Sequence, residues 1–251
     1  MKKTNDLLNI ILPIITLLAL LVFWQVASVI IGSEYILPSL SQTAVALFNL
    51  FKSGEFYIAL SFTLIRSLIA FALSFVVAFF LAFAVYKRPL VAKIVNPIIS
   101  VIRALPTIAV ILLLLFWTNS KVAPIIVTML VVLPTAYTNL SNAFEEIEKG
   151  AVEASRVDGA NEKQVFSFIV FPLIAPAFYK AVGSGISLNF KLMVAAEVLA
   201  QTAKSLGYLL NTSKVYFEIA QMMALVFVSV VFGVIFEQIF NRISFKAGAW
   251  R

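Results

Sequence analysis

Four charged side chains interrupt long apolar stretches of this chain: Arg66, Arg103, Lys191 and Glu197. A charge in such a setting is costly, so it either pairs inside a helix bundle or faces a water-filled cavity. Arg66, at the edge of its stretch, reads as snorkelling to an interface in preference to a substrate role. Arg103 lies about three turns into its stretch, above Pro106, a residue that frees a carbonyl and bends a helix; this suits a gate, a polar lining or a pair within the bundle. Lys191 and Glu197 are six apart, too far round a helix for a good same-helix pair. Each either pairs across helices or lines a path, and together Lys191 and Arg103 would supply positive potential for an anionic or zwitterionic solute. Other chemistry is scarce. There is no cysteine and no histidine, which removes disulfides, thiol nucleophiles, imidazole bases and most zinc sites. An integral membrane enzyme would have almost nothing to work with.

The elements that must position these charges are membrane spans. Of 251 residues, 62% are hydrophobic and 12% charged, about half the charge of a soluble domain. A crossing helix needs about 20 apolar residues. Leu7–Ser33, Ser67–Val85, Val122–Phe144 and Ile219–Phe236 carry no charge, Ile94–Ser120 only Arg103, and Pro172–Gln201 only Lys180, Lys191 and Glu197. The expectation is an all-α polytopic membrane protein forming one transmembrane domain over 1–251, with six spans near 8–31, 60–86, 94–117, 122–143, 173–200 and 217–240. The first apolar run is too long for a signal peptide and lacks a clear cleavage site. Trp24, Trp117 and Trp250 are expected near interfaces, and the 23 phenylalanines in packing or lipid contact.

Six spans put both termini on one side. Loops on that side hold eleven basic residues: Lys2, Lys3, Lys87, Arg88, Lys93, Lys149, Arg156, Lys163, Arg242, Lys246 and Arg251. The opposite loops hold four, Lys52, Lys121, Lys204 and Lys214. The positive-inside bias therefore makes the termini cytoplasmic and accounts for the net charge of +7 without a nucleic-acid surface. The remaining outer segments, Glu34–Tyr57 and Thr202–Glu218, are too short to form a receptor domain.

One polar island, 145–172, lies on the cytoplasmic side. Ala151–Asp158 predicts a short helix, with Gly159 just past its end where a left-handed backbone is cheap. Asn161 can cap a second short helix through Glu162, Lys163 and Gln164, and Pro172 opens the fifth span, where its missing N–H costs nothing. Ala154 and Ala160 are small enough for a partner to approach closely, while Glu153, Arg156 and Asp158 offer charged handles.

These residues carry a family resemblance. Glu153-Ala154-Ser155, then Gly159 after three residues, then Ile169-x-Phe171-Pro172 resembles the E-A-A loop motif of binding-protein-dependent ABC import permeases, with Ser155 for the third residue and Phe171 for a leucine. Leu37-Pro38-Ser39, Arg66, Pro97, Arg103-Ala104-Leu105-Pro106 and Phe190-Lys191 followed by Ala195-Ala196-Glu197-Val198-Leu199 resemble the branch serving sulfonates, taurine, nitrate and thiamine precursors. Departures from that branch are Phe190 in place of tryptophan and Ser205-Leu206-Gly207 in place of Gly-Leu-Gly. The resemblance implies a type I (MetI-like) importer of the bacterial inner membrane. Two permease chains would pair around a central path, and an ABC ATPase dimer would dock on the island through Glu153, Ala154, Ser155, Arg156, Asp158, Gly159 and Ala160. An extracytoplasmic binding protein would deliver solute. Path or gate residues would be Arg103, Pro106, Lys191 and Glu197. ATP and magnesium would belong to the partner, since this chain has no phosphate-binding G-x-x-x-x-G-K-[ST] loop. The competing reading is a self-contained secondary transporter or channel, which calls for intramembrane coupling carboxylates and often an inverted repeat; only Glu197 lies deep in a span.

Overall fold

The computed structural model describes the backbone of residues 2–248 and the side chains of 11–246 apart from those of residues 149 and 151. Trp250, Arg251 and the side chains of Lys2, Lys3 and Lys149, used above to set orientation and interfaces, lie outside that description. Among the described residues there are helices and no strands: α1 (Lys2–Ile31), α2 (Leu40–Lys52), α3 (Gly54–Lys87), a 3₁₀ turn at Pro89–Val91, α4 (Ala92–Ala104), α5 (Thr107–Trp117), α6 (Ala123–Glu145), α7 (Lys149–Val157), α8 (Glu162–Val165), a π-helical turn at Phe166–Val170, α9 (Phe171–Ala200), α10 (Leu206–Val215) and α11 (Ile219–Gly248). In lipid, every backbone polar group must be satisfied within the chain, and a helix does this segment by segment.

Five of these helical stretches are long and apolar enough to cross a membrane, and α4 with α5 forms a sixth crossing only as a pair bent by 92°. The all-α, polytopic expectation therefore holds, but the continuous third span at 94–117 does not. Leu105 precedes Pro106 and is forced out of the helical region, to φ −66°, ψ 128°. Pro106 then lacks the N–H that would have continued the ladder and serves as the N-cap of α5. What the sequence suggests as a bend is a full break.

The core is built from α3, α6, α9 and α11, which pack along one another. At the end bearing the polar island, Phe79, Phe83 and Tyr86 of α3 meet Phe144 of α6, Phe166 of the π turn and Phe178 of α9, with Tyr86–Phe144 centroids 5.1 Å apart and Phe83–Phe166 5.3 Å. Edge and stacked ring pairs each add about 0.5–1.5 kcal/mol beyond area burial. At the other end, Leu50, Phe56, Phe190, Leu206 and Leu225 form a second cluster joining α2, α3, α9, α10 and α11. A third cluster, including Ile111, Val127 and Ala196, joins α5, α6 and α9.

Two helices occupy segments expected as short loops. In α2, Ser39 accepts from the Gln42 N–H while the Gln42 side chain accepts from the Ser39 N–H, a complete capping box. α10 folds back between α9 and α11. In contrast, α1 is exposed along almost its whole apolar length, as expected of a helix surrounded by lipid. It is tied to the rest by Trp24 Nε1 donating to Pro38 O (3.0 Å), Ser28 Oγ donating to Leu37 O (3.0 Å) and the Leu40 N–H donating to Gln25 Oε1 (3.1 Å). The Leu37-Pro38-Ser39 run is thus the strap of α1 and the cap of α2. Trp117 is 75% exposed at the end of α5, in keeping with an interfacial place.

Candidate functional site: the polar loop and the charges within the bundle

In the island, Glu148 is the N-cap of α7, where its negative charge meets the positive end of the helix dipole. α7 ends in a Schellman turn: the Gly159 N–H donates to Arg156 O and the Ala160 N–H to Ser155 O. Gly159 takes φ +85°, a conformation glycine adopts without steric cost. Asn161 then caps α8, its Oδ1 accepting from the Gln164 N–H at 2.9 Å. Of the seven residues expected to meet a partner, Glu153, Ala154, Arg156, Asp158 and Gly159 are exposed, while Ser155 and Ala160 are half-buried. The inner side of α7 is anchored by Val152, which is buried in the core cluster. Val157 is 87% exposed beside the charged handles. Ser155 turns its hydroxyl onto Val152 O (2.8 Å), so serine at the third motif position bonds back onto its own helix.

The expected pair of short helices is only half present. α8 does not end before the fifth span; it runs through the π turn into α9, giving one continuous stretch Glu162–Ala200 of 39 residues. Pro172 explains the π turn. It cannot donate to the carbonyl four residues back, and its ring would strike that carbonyl. Widening the preceding turn, with the Phe171 N–H donating to Phe166 O, absorbs the misfit without breaking the helix. At about 1.5 Å per residue this stretch is roughly 58 Å long, nearly twice the hydrocarbon thickness, so α8 projects beyond the membrane.

Glu162 holds the island to the bundle. Its carboxylate pairs with Lys87 at the end of α3 and with Arg156 of α7 (2.7 Å). The hydrogen bond from Lys87, reinforced by both cations, holds its carboxyl below the usual range. Sequence reasoning placed Glu162 in the second helix without a role, since the Lys87 and Glu162 partners are 75 residues apart. Beneath α7 lies a recess of about 530 Å³ lined by Tyr86, Lys87, Phe144, Ile147, Glu153 and Arg156 among others.

The four intramembrane charges separate into two groups. Arg66 does not snorkel: it is 8% exposed, and its Nε donates to Glu197 Oε1 at 2.8 Å while Nη2 donates to Lys204 O at 3.1 Å. Glu197 is fully buried and also accepts from Thr63 Oγ1 (2.8 Å). Thr63, Arg66, Ser67, Ala70 and Ser74 form one buried stripe on α3, opposite Asn189, Met193 and Glu197 on α9. Asn189 Nδ2 donates to Ser67 O and Oγ at 2.7 Å each. The sequence analysis did not single out Thr63, Ser67 or Asn189; their helical spacing is the signal that could have exposed this inward polar seam. Glu197 therefore sits within one bundle, in a pair across helices.

Arg103 and Lys191 are exposed. Arg103 ends α4 immediately before the break at Pro106, and its Nη2 donates to Thr138 Oγ1 of α6 at 2.7 Å. Lys191 runs its stem along α11, where a Cβ on Gly233 would lie 3.0 Å from Lys191 Cε. The two helices that carry their neighbours leave polar faces uncovered: Thr135, Asn139 and Asn142 on α6, spaced by four and three, and Lys180, Ser184 and Lys191 on α9.

Comparison with known proteins fits this geometry. Residues 74–247 match the family described as binding-protein-dependent transport system inner membrane component. The taurine transport system permease protein of Escherichia coli strain K12 is 25% identical over 215 residues, 82% of this chain and 77% of that protein. The formylaminopyrimidine transport permease of Halalkalibacterium halodurans is 24% identical over 236 residues, 94% and 92% of the two chains. The fold is that of a chain in an inward-facing methionine ABC transporter, with a TM-score of 0.62, 20% identity and coverage of 75% of this chain and 94% of that one. The chain belongs to the inner-membrane components of binding-protein-dependent transport systems and is a permease subunit of an ABC importer.

Proposed function

We propose that the chain, as one transmembrane domain, forms half of a paired path for a small anionic or zwitterionic solute. The observation that carries this reading is the uncovered polar face of α6 and α9. Thr135, Asn139, Ser184 and Lys191 are exposed on helices of the bundle core, and polar groups facing hydrocarbon are costly. A second copy enclosing water against these faces would satisfy them. Arg103 and Lys191 then place positive potential along the path, while Pro106 sets the bend between α4 and α5 that brings Arg103 to it.

The drive comes from a separate ATPase dimer, which carries ATP and magnesium and docks on α7 through Glu153, Ala154, Arg156, Asp158 and the exposed Val157. Closing the ATPases would draw two α7 helices together. The Glu162 pairs and the aromatic cluster would pass that movement to α3, α6 and α9. The island and both termini face the cytoplasm, on the basic-residue bias, and a binding protein delivers solute at the opposite mouth. The relatives named above transport different solutes, taurine and formylaminopyrimidine, so the solute class rests on Arg103 and Lys191. Uptake of taurine, an alkyl sulfonate and a formylaminopyrimidine by the assembled importer, with R103M and K191M variants, tests it. Loss of uptake of a charged solute in both variants at normal expression is expected; undiminished uptake in both would sink the assignment.

A further inference from the structure

The described non-glycine residues with left-handed backbones all lie in one connection: Gln201 (φ 49°), Lys204 (φ 53°) and Phe217 (φ 58°), between α9 and α11. Gln201 and Phe217 occupy Schellman turns, with Thr202 N–H donating to Glu197 O and Glu218 N–H to Ser213 O, at positions where glycine is usual. Backbone held in this region persists only when its surroundings over-determine it, and such segments recur at switches. At Gln201 and Lys204 the surroundings are the Arg66–Glu197 pair, whereas Phe217 is exposed at the far end of α10. The connection dips inward: Thr202, Ser205, Leu206 and Ser213 are fully buried. The Leu206 N–H donates to Thr63 Oγ1 (3.0 Å), nine residues and about 14 Å beyond the start of α3 at Gly54. Arg66 holds Lys204 O, Glu197 Oε2 faces the Gly207 N–H at 3.5 Å, and Thr202 Oγ1 donates to Ser120 O at 2.6 Å. Gly207 is required here, because a Cβ would overlap Glu197 and the Val198 backbone.

We propose that Arg66 and Glu197 are positioning residues of the transport cycle: the pair latches α10 inside the mouth opposite the island, and its release lets α10 swing as a gate. A buried ion pair is a poor source of stability compared with apolar packing, and its best-attested use is to fix one arrangement against another. This pair fixes the strained connection to two spans through one guanidinium, with a fork that serves Glu197 and Lys204 O together. Swinging α10 out would free the left-handed Lys204, whose carbonyl Arg66 holds, and expose Leu206.

The inference rests on the importer reading, and one experiment separates the two. The chain has no cysteine, so an L206C reporter gives a single labelling site in it. The assembled importer, with ATPase and loaded binding protein, is reconstituted in proteoliposomes, and an impermeant maleimide is added on the α10 side. Labelling of L206C is expected to be slow at rest and about tenfold faster when the closed ATPase state is trapped as its ADP–vanadate complex. E197Q and R66M should give about that acceleration at rest, and R66K, whose ammonium lacks the fork, an intermediate rate. An I174C reporter, buried in the island-end cluster, should stay unlabelled throughout. Equal labelling of L206C at rest and in the trapped state overturns the latch, even where the Arg66 and Glu197 variants fail to assemble. A rise at I174C matching that at L206C overturns it too, because the pair then merely packs the bundle. Absence of ATP-driven uptake by the L206C complex and by the unaltered chain alike fails the importer reading, and the latch with it.

Discussion

At the residue scale, two positions carry consequences that differ in kind. Gly159 has no atom near a prospective Cβ, so its substitution meets no clash and costs only backbone strain. Gly159→Ala should destabilise the α7 turn by about 1 kcal/mol, and Gly159→Val by more, because left-handed backbone disfavours any Cβ and β-branched side chains most. The expected outcome is ATP hydrolysis retained by the complex and uptake diminished, measured together in proteoliposomes. Glu197 is the opposite case: removing one partner of a buried pair leaves an uncompensated charge. R66M should lower bundle stability by about 3–5 kcal/mol, whereas the R66M/E197M double variant should recover much of that loss. Thermal unfolding of the detergent-solubilised chain checks both, and a double variant as unstable as R66M would contradict the pairing. Glu197 was legible as a costly charge; its partner was not, since Arg66 lies 131 residues away and its position at a span edge reads as snorkelling.

At the element scale, α7 is a short helix held by Val152 on one side and by ion pairs on the other. Those pairs are exposed and screened by solvent, so they contribute little to overall stability. E162Q should therefore leave overall stability nearly unchanged while raising amide hydrogen exchange across Lys149–Val157, and high salt should act in the same direction. Because the folded carboxyl of Glu162 titrates below its unfolded value, its contribution is complete above the unfolded pKa, about 4.3. It is lost as pH falls through the lower folded value, so the Glu162 pairs persist across the neutral range. The π turn supplies a second test. P172A restores the missing donor and lets Phe166–Val170 relax to an α-helix, which rotates α8 by about 100° relative to α9. Uptake should fall while the chain still assembles with its ATPase. The short helix, its glycine stop and the Asn161 cap were all legible because each is local. The π turn was not, because a proline at a helix start and a proline after a widened turn share one sequence pattern.

At the scale of the whole molecule, the cysteine-free chain makes topology directly measurable. Impermeant thiol reagents should label Y216C from outside intact cells and V157C only after permeabilisation, both sites being well exposed; the reverse result would invert the orientation. The sequence by itself determined the apolar composition, the helical class, the long apolar runs and the polar loop between the fourth and fifth of them. Each of these follows from composition, from runs of about 20 apolar residues, or from local turn chemistry, all of which are read within a few neighbours. Only the tertiary structure decided that the third crossing breaks at Leu105–Pro106 by 92°, that α10 folds inward, and that Arg66 belongs to Glu197 while Lys191 and Arg103 remain exposed. The physical reason is that a charge in an apolar span must find water or an opposite charge, and sequence states that need without naming which helix, more than a hundred residues away, will meet it.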